Sequence, residues 1–232
     1  MKPEGTAGKT MIFQNREEAG RRLVERLLHY REHPSALILA LPRGGVAVGY
    51  QLSLGLHLPL DVFIARKVGA PDNPEYAIGA VGESGGVYWN PTALASYRLA
   101  PAEIQRLLHT QQEEITRRQA LYRQNRPFPT LTDRIVILVD DGIATGSTFF
   151  AAIRSIRNLS PHRLVGAIPV GPEETIREVL AQVDELAVLA TPDPFWAVGN
   201  HYVDFAQVSD REVVEYLNLA GEALRRHARL SS

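Results

Sequence analysis

Residues 140–148 read Asp-Asp-Gly-Ile-Ala-Thr-Gly-Ser-Thr. Two adjacent carboxylates, Asp140 and Asp141, are acceptors suited to the vicinal hydroxyls of a ribose. The loop that follows, Gly142, Ile143, Ala144, Thr145, Gly146, Ser147 and Thr148, offers backbone N–H groups and three hydroxyls, the donor set that a phosphate takes at a helix N-terminus. Together they describe a site for a ribose 5-phosphate. Two other phosphate-binding patterns do not fit. A P-loop needs a lysine after its second conserved glycine, and none follows Gly146; the dinucleotide fingerprint needs Gly-x-Gly, whereas Gly142 is followed by Ile143 and Ala144.

The elements around these residues carry them to one place. Ile135 to Val139 is a five-residue apolar run of the kind that forms a buried parallel strand, and Phe149 to Leu159 has helical periodicity. Ligands of open α/β sheets bind at the carboxyl ends of strands. A second strand, Ala36 to Leu41, ends in Pro42-Arg43-Gly44-Gly45, where glycines let a ligand approach the backbone and Arg43 offers a bidentate fork. A third, Leu60 to Arg66, ends at Arg66-Lys67, and Lys67 is the sole lysine beyond the first ten residues.

The run from the apolar strand through Thr148 resembles the signature of the type I phosphoribosyltransferases, a hydrophobic strand ending in two acids and continuing as Gly-x-x-Thr-Gly-[Ser/Thr/Gly]-[Ser/Thr]. Pro42-Arg43-Gly44-Gly45 resembles that family's pyrophosphate loop, whose backbone often holds a non-proline cis peptide. The segment from Arg66-Lys67 to Val81 is similar to a poorly characterised bacterial subgroup, and with it the likeness runs from about residue 12 to the C-terminus. The resemblance implies a magnesium-dependent transfer from 5-phosphoribosyl 1-diphosphate to a nitrogenous base or related amine. Arg43 and Lys67 would then be catalytic, stabilising the departing diphosphate, with Gly44 and Gly45 shaping its loop. It implies a C-terminal hood at about 192–209, in which Phe195 and Trp196 are base-stacking candidates, with core packing as the alternative, and Asp204 a magnesium ligand. The spacing from Val198-Gly199 to Asp204 is one residue longer than in hypoxanthine-guanine enzymes. Those enzymes also carry an Asp where this chain has Ala144, so the 6-oxopurines are disfavoured as acceptors. Neither Glu75 nor Glu83 stands out as a substitute.

Strands alternating with helices predict a doubly wound, mainly parallel α/β sheet flanked by helices. A covering helix is expected over Arg16 to His33, with Asn15 as N-cap, and a crossover helix over Val46 to Leu54. Strands are expected at Ala77–Val81, Val87–Trp89, Leu164–Val170 and Leu186–Ala190, and helices at Pro172–Gln182 and Asp210–Arg226. His29 and His33, four apart, could share a metal, or simply complement a helix C-terminus. The helical and hairpin segment at about 83–130, with a long helix from Pro101 to about Gln124, is an elaboration that could clamp the site, make a dimer contact or pad the fold.

The 232 residues, 45% hydrophobic, suffice for a single domain at 11–232 after a loose leader at 1–10. A formal charge of -1 gives no reason to expect nucleic acid, and no apolar run suits a membrane helix or signal peptide, so the expected location is the cytoplasm. With no cysteine there is no disulfide and no thiolate chemistry. A homo-oligomer, in the simplest case a dimer, is expected. The rival from another class is a non-catalytic regulator that senses 5-phosphoribosyl 1-diphosphate or a nucleotide through the same site.

Overall fold

The computed structural model describes residues 13–73, 76–124 and 126–230. The expected leader at 1–10 and Glu75 lie outside them. Five strands form one parallel sheet: β1 (Ala36–Ala40), β2 (Leu60–Val62), β6 (Ile135–Val139), β7 (Arg163–Val170) and β8 (Glu185–Ala190), in the order β2-β1-β6-β7-β8. The chain winds outward from β1 in one direction and from β6 in the other. The β1/β6 border is therefore the topological switch point, where a crevice opens at the strands' carboxyl ends.

Apolar residues on both faces of the central strands explain the two layers of helices. On one face, Ile38, Ala40, Ile137 and Val139 join Leu23, Val48, Leu52 and Leu217 from α1 (Arg16–Arg26), α2 (Gly44–Leu56) and α7 (Asp210–Leu230). On the other, Leu39, Val136 and Leu138 meet Phe149, Ile153 and Val179 from α5 (Ser147–Arg157) and α6 (Glu173–Leu180).

Two of the expected elements differ in the structure, and one is new. The helix expected over 16–33 stops at Arg26 and is followed by a 3-10 turn at Leu28–Tyr30. His29 and His33 therefore do not share a helical face: His29 pairs with Glu185 at 2.9 Å, and His33 Nδ1 accepts the Ser35 amide at 3.2 Å. The strand expected at 60–66 is two strands. β2 ends at Val62, and β3 (Ala65–Gly69) leaves the parallel sheet to form a separate antiparallel sheet with β4 (Ala77–Gly82) and β5 (Val87–Trp89), in the order β3-β4-β5. Arg66 and Lys67 thus lie within β3, Lys67 opposite Ala80, and do not close a strand of the main sheet. A short helix, α3 (Pro91–Tyr97), capped by the Asn90 side chain, was not foreseen.

The small sheet packs on α5 through small residues. Cβ atoms on Gly82 and Gly86 would meet the Ser155 hydroxyl at 2.1 and 2.4 Å. The long helix α4 (Pro101–Arg123) lies against β3 and β4 and reaches α7. A buried ion-pair network fastens it: Arg123 bonds Glu83 at 2.6 and 2.8 Å, the Val62 carbonyl at 2.8 Å and Asp61 at 3.3 Å. Glu83 also accepts the Ile64 amide at 2.9 Å. These bonds compensate the desolvation of charges whose side chains are only 5% and 3% exposed, Arg123 and Glu83. Glu83 is thus a structural acid at the root of the elaboration.

Candidate active site

The register Ala40↔Val139 sets the ends of β1 and β6 level, so the loops at 41–45 and 140–148 leave the sheet side by side. Their closeness is visible at Gly44, where a Cβ would lie 1.8 Å from Asp141 Oδ2. A side chain at 44 would displace the Asp141 carboxylate. A Cβ on Gly45 would likewise lie 2.9 Å from the Asp140 Cα. The Pro42–Arg43 peptide is cis, as the resemblance led us to expect.

Asp140 is partly buried and offers Oδ1 to the Asp141 amide at 2.9 Å. Burial, then the neighbouring Asp141 carboxylate, pushes the Asp140 carboxyl well above the ordinary range. Asp141 is held from outside the sequence motif. Arg16, at the start of α1, places Nε 2.7 Å from Asp141 Oδ2 and donates to the Ala206 carbonyl at 2.8 Å, with Phe205 stacked on its guanidinium at 3.9 Å. Tyr202 donates its hydroxyl to the Asp141 carbonyl at 2.5 Å. No local signal in the sequence marks Arg16 or Tyr202, which reach Asp141 only through the tertiary fold, or Phe205, which packs on both.

The loop after the acids leaves donor groups facing out at the start of α5. Gly146 takes a left-handed φ of 70° immediately before α5, which no side chain caps. Thr145 is exposed, and its hydroxyl lies 3.2 Å from that of Ser147, which is buried; Thr148 is half-buried. The first amides of α5 and these hydroxyls form the donor set expected for a phosphate. Ile143 plays another part: its side chain is buried and its amide donates to Val170 at 2.9 Å, anchoring the loop. Ala144 is exposed, and its carbonyl accepts the Thr175 hydroxyl at 2.8 Å.

Arg43 sits 4.0 Å from Asp210, the first residue of α7, whose carboxylate also accepts the Tyr122 hydroxyl at 2.5 Å and lies 3.9 Å from Arg117. α4 is therefore linked to Arg43 indirectly, through the Asp210 carboxylate of α7. Lys67 is exposed on the small sheet and lines a cavity of about 350 Å³ with Arg66, Gly69, Pro71, Leu107 and Gln111. Arg43 and Lys67 are thus carried by different sheets.

In the hood, Phe195 is partly buried, stacks on the His201 ring at 5.2 Å and packs with Phe13, Val170 and Tyr202, while Trp196 is 79% exposed. Core packing therefore describes Phe195, and Trp196 remains available to a ligand. His201 is buried, and burial lowers its pKa. Asp204 is exposed, accepts the Ala206 amide at 3.0 Å and lines a cavity of about 150 Å³ with Arg16, Glu212 and Tyr216.

The family described as phosphoribosyl transferase domain matches residues 9–203. Two curated proteins of Mycobacterium tuberculosis, from strains CDC 1551 / Oshkosh and ATCC 25618 / H37Rv and provisionally named phosphoribosyl transferases, are each 40% identical over 209 residues, 90% of this chain and 47% of theirs. The chain spans about half the length of these relatives. The crystal structure of TT1426 from Thermus thermophilus is 39% identical, with a TM-score of 0.74 over 89% of this chain and 98% of that one. No helix of the described residues is long and apolar enough to cross a membrane. With its switch-point crevice, paired acids and the glycine turn into an uncapped α5, the chain belongs to the phosphoribosyl transferase domain family.

Proposed function

We propose that the protein transfers the 5-phosphoribosyl group of 5-phosphoribosyl 1-diphosphate to a nitrogenous nucleophile, inverting the anomeric carbon and releasing diphosphate. The observation that carries this reading is the contact of the Gly44 backbone with Asp141 at the β1/β6 crevice. It supports one ligand spanning both loops, with the 5-phosphate on Thr145 to Thr148, the ribose hydroxyls on Asp140 and Asp141, and the diphosphate over Arg43 to Gly45. The transition state has oxocarbenium character, so catalysis rests on positioning and charge stabilisation. Arg43 offers a bidentate fork to the leaving diphosphate and Lys67 a point charge. The acceptor enters beneath the hood, on the side of Trp196.

The donor set suits a hard cation. Asp204 is an exposed carboxylate beside the site, and Mg²⁺ is commonly held by one or two carboxylates together with substrate phosphates and water. When bound, the ion neutralises charge on the diphosphate. Ala144 supplies no carboxylate to a purine N7, so hypoxanthine and guanine are poor acceptors; the lost acid-base assistance is worth about 10² to 10⁴ in rate.

Incubation of the protein with 5-phosphoribosyl 1-diphosphate, Mg²⁺ and hypoxanthine, guanine, adenine, orotate, uracil or simple amines, with diphosphate monitored, tests the reading. Diphosphate release with an acceptor other than the two 6-oxopurines is expected. Tight binding of the donor with no acceptor-dependent release would instead favour a sensor.

A further inference from the structure

At the end of the molecule remote from the crevice, three segments far apart in sequence bring metal-ligating side chains together. Glu32 lies in the turn before β1, His57 closes α2 and His227 is in the last turn of α7, and their ligand atoms all lie within 4.8 Å of one another. His227 Nε2 stands 3.2 Å from Glu32 Oε1. The two imidazole rings are stacked, with centroids 3.8 Å apart and planes 1° from parallel. Arg31 approaches His57 Nε2 at 3.0 Å, so that nitrogen presents a lone pair to it.

The backbone brings the two turns together. Glu32 and His57 both adopt left-handed conformations, with φ of 57° and 53°. Few L-residues other than glycine do so, because Cβ crowds the carbonyl oxygen, and Glu has none of the local tolerance of Asn or His. The two turns are tied to each other by the Glu32 amide donating to the Leu56 carbonyl at 2.8 Å. His57 is the left-handed C-cap that ends α2, so its side chain and that of Glu32 are held beside each other by the turns that carry them.

We propose that Glu32, His57 and His227 form a binding site for a divalent transition cation, of which Zn²⁺ is the best match. Two imidazoles and one carboxylate, with water completing the shell, are an established donor set for zinc, and the absence of cysteine removes competing thiolates. Binding fans the two rings out of their stack, because lone pairs in parallel planes cannot meet at one ion. Arg31, whose side chain is 52% exposed, moves into water. The consequence reaches the other end of the molecule. α2 and α7 pack together, with Tyr50 and Tyr216 in contact at 5.2 Å, and both helices begin beside Arg43: α2 immediately after it, α7 at Asp210. An ion on their C-terminal ends staples the pair whose N-terminal ends carry the glycine-rich loop.

The test uses untagged protein and metal salts, and does not depend on any phosphoribosyl chemistry. Calorimetry with ZnCl₂ is expected to show one ion per chain and a raised Tm, and CoCl₂ to give the intense visible bands of a low-coordinate N/O site. His57→Ala and His227→Ala should each weaken Zn²⁺ by more than the ~10–100-fold that follows loss of a merely supporting group. Glu32→Gln, which keeps the turn, should weaken it too and decides the matter if either histidine variant fails to fold. His162→Ala, at an exposed histidine outside the cluster, should bind as the wild type does. No binding by the wild type, or undiminished binding by Glu32→Gln and the folded histidine variants, overturns the site.

Discussion

The β1/β6 crevice and the antiparallel flank of β3-β4-β5 with α4 are built by opposite means. In the crevice, position comes from main chain: contiguous loops at 41–45 and 140–148, set level by parallel register, with glycine where the loops touch. In the flank, position comes from side chains distant in sequence, Asp61, Glu83 and Arg123, joined in a buried network, and from Asp210 linking Tyr122 to Arg43. A backbone site is specified wherever its strand and helix form. A side-chain frame stands or falls with single residues.

The largest effect should follow Arg123→Ala, which strands Glu83 with a buried, unpaired charge. Breaking such a pair costs about 3–5 kcal/mol, and urea unfolding should show a loss of that size. Hydrogen exchange should then rise in β3, β4 and α4 ahead of β1 and β6; equal loosening of both regions would show that the two are not separately held.

Next come Arg43→Ala and Lys67→Ala. A hydrogen bond to a charged group contributes about 1.5–3 kcal/mol, so turnover should fall roughly 10- to 100-fold in each. Nucleoside 5-monophosphate affinity should change little, since that ligand lacks the diphosphate. Wild-type turnover by Lys67→Ala would place the flank outside the chemistry.

Smaller, and opposite in sign, is the effect of Asp140→Asn. The raised Asp140 pKa means that the folded state disfavours its charge, so the penalty applies at neutral pH and is relieved as pH falls through the folded-state value. Asp140→Asn should therefore be more stable than the wild type at pH 7, with the gap closing on acidification, and each kcal/mol recovered should raise Tm by about 2–4 °C. Ribose phosphate affinity should drop by about 1 kcal/mol, roughly fivefold, as an ionic acceptor becomes a neutral one. A stability difference independent of pH would contradict the assignment of the cause.

The same contrast explains what the sequence discloses. Ile135 to Thr148 shows its strand, acids and loop because all belong to one local unit, and Arg43 to Gly45 is legible for the same reason. Leu60 to Arg66 read as one strand because its apolar and β-branched residues continue past the point at which the chain changes sheets, near Phe63 and Ile64. Arg16 looked like an ordinary helix-start residue, and nothing nearby foretells its bond to Asp141, 125 positions away. In sequence Glu83 has the look of any acid-base group, and only its fold partner Arg123, 40 positions on, makes it structural.

The central claim is that the loop from Gly142 to Thr148 holds the 5-phosphate of a phosphoribosyl ligand. Titration calorimetry of 5-phosphoribosyl 1-diphosphate with Mg²⁺ into the wild type and Thr145→Asp tests it most directly, because the substitution replaces a hydroxyl donor with a like charge at the cradle. The account predicts clear binding by the wild type and a loss of roughly 100-fold or more in the variant. Equal affinity in the two proteins would contradict it and move the phosphate elsewhere.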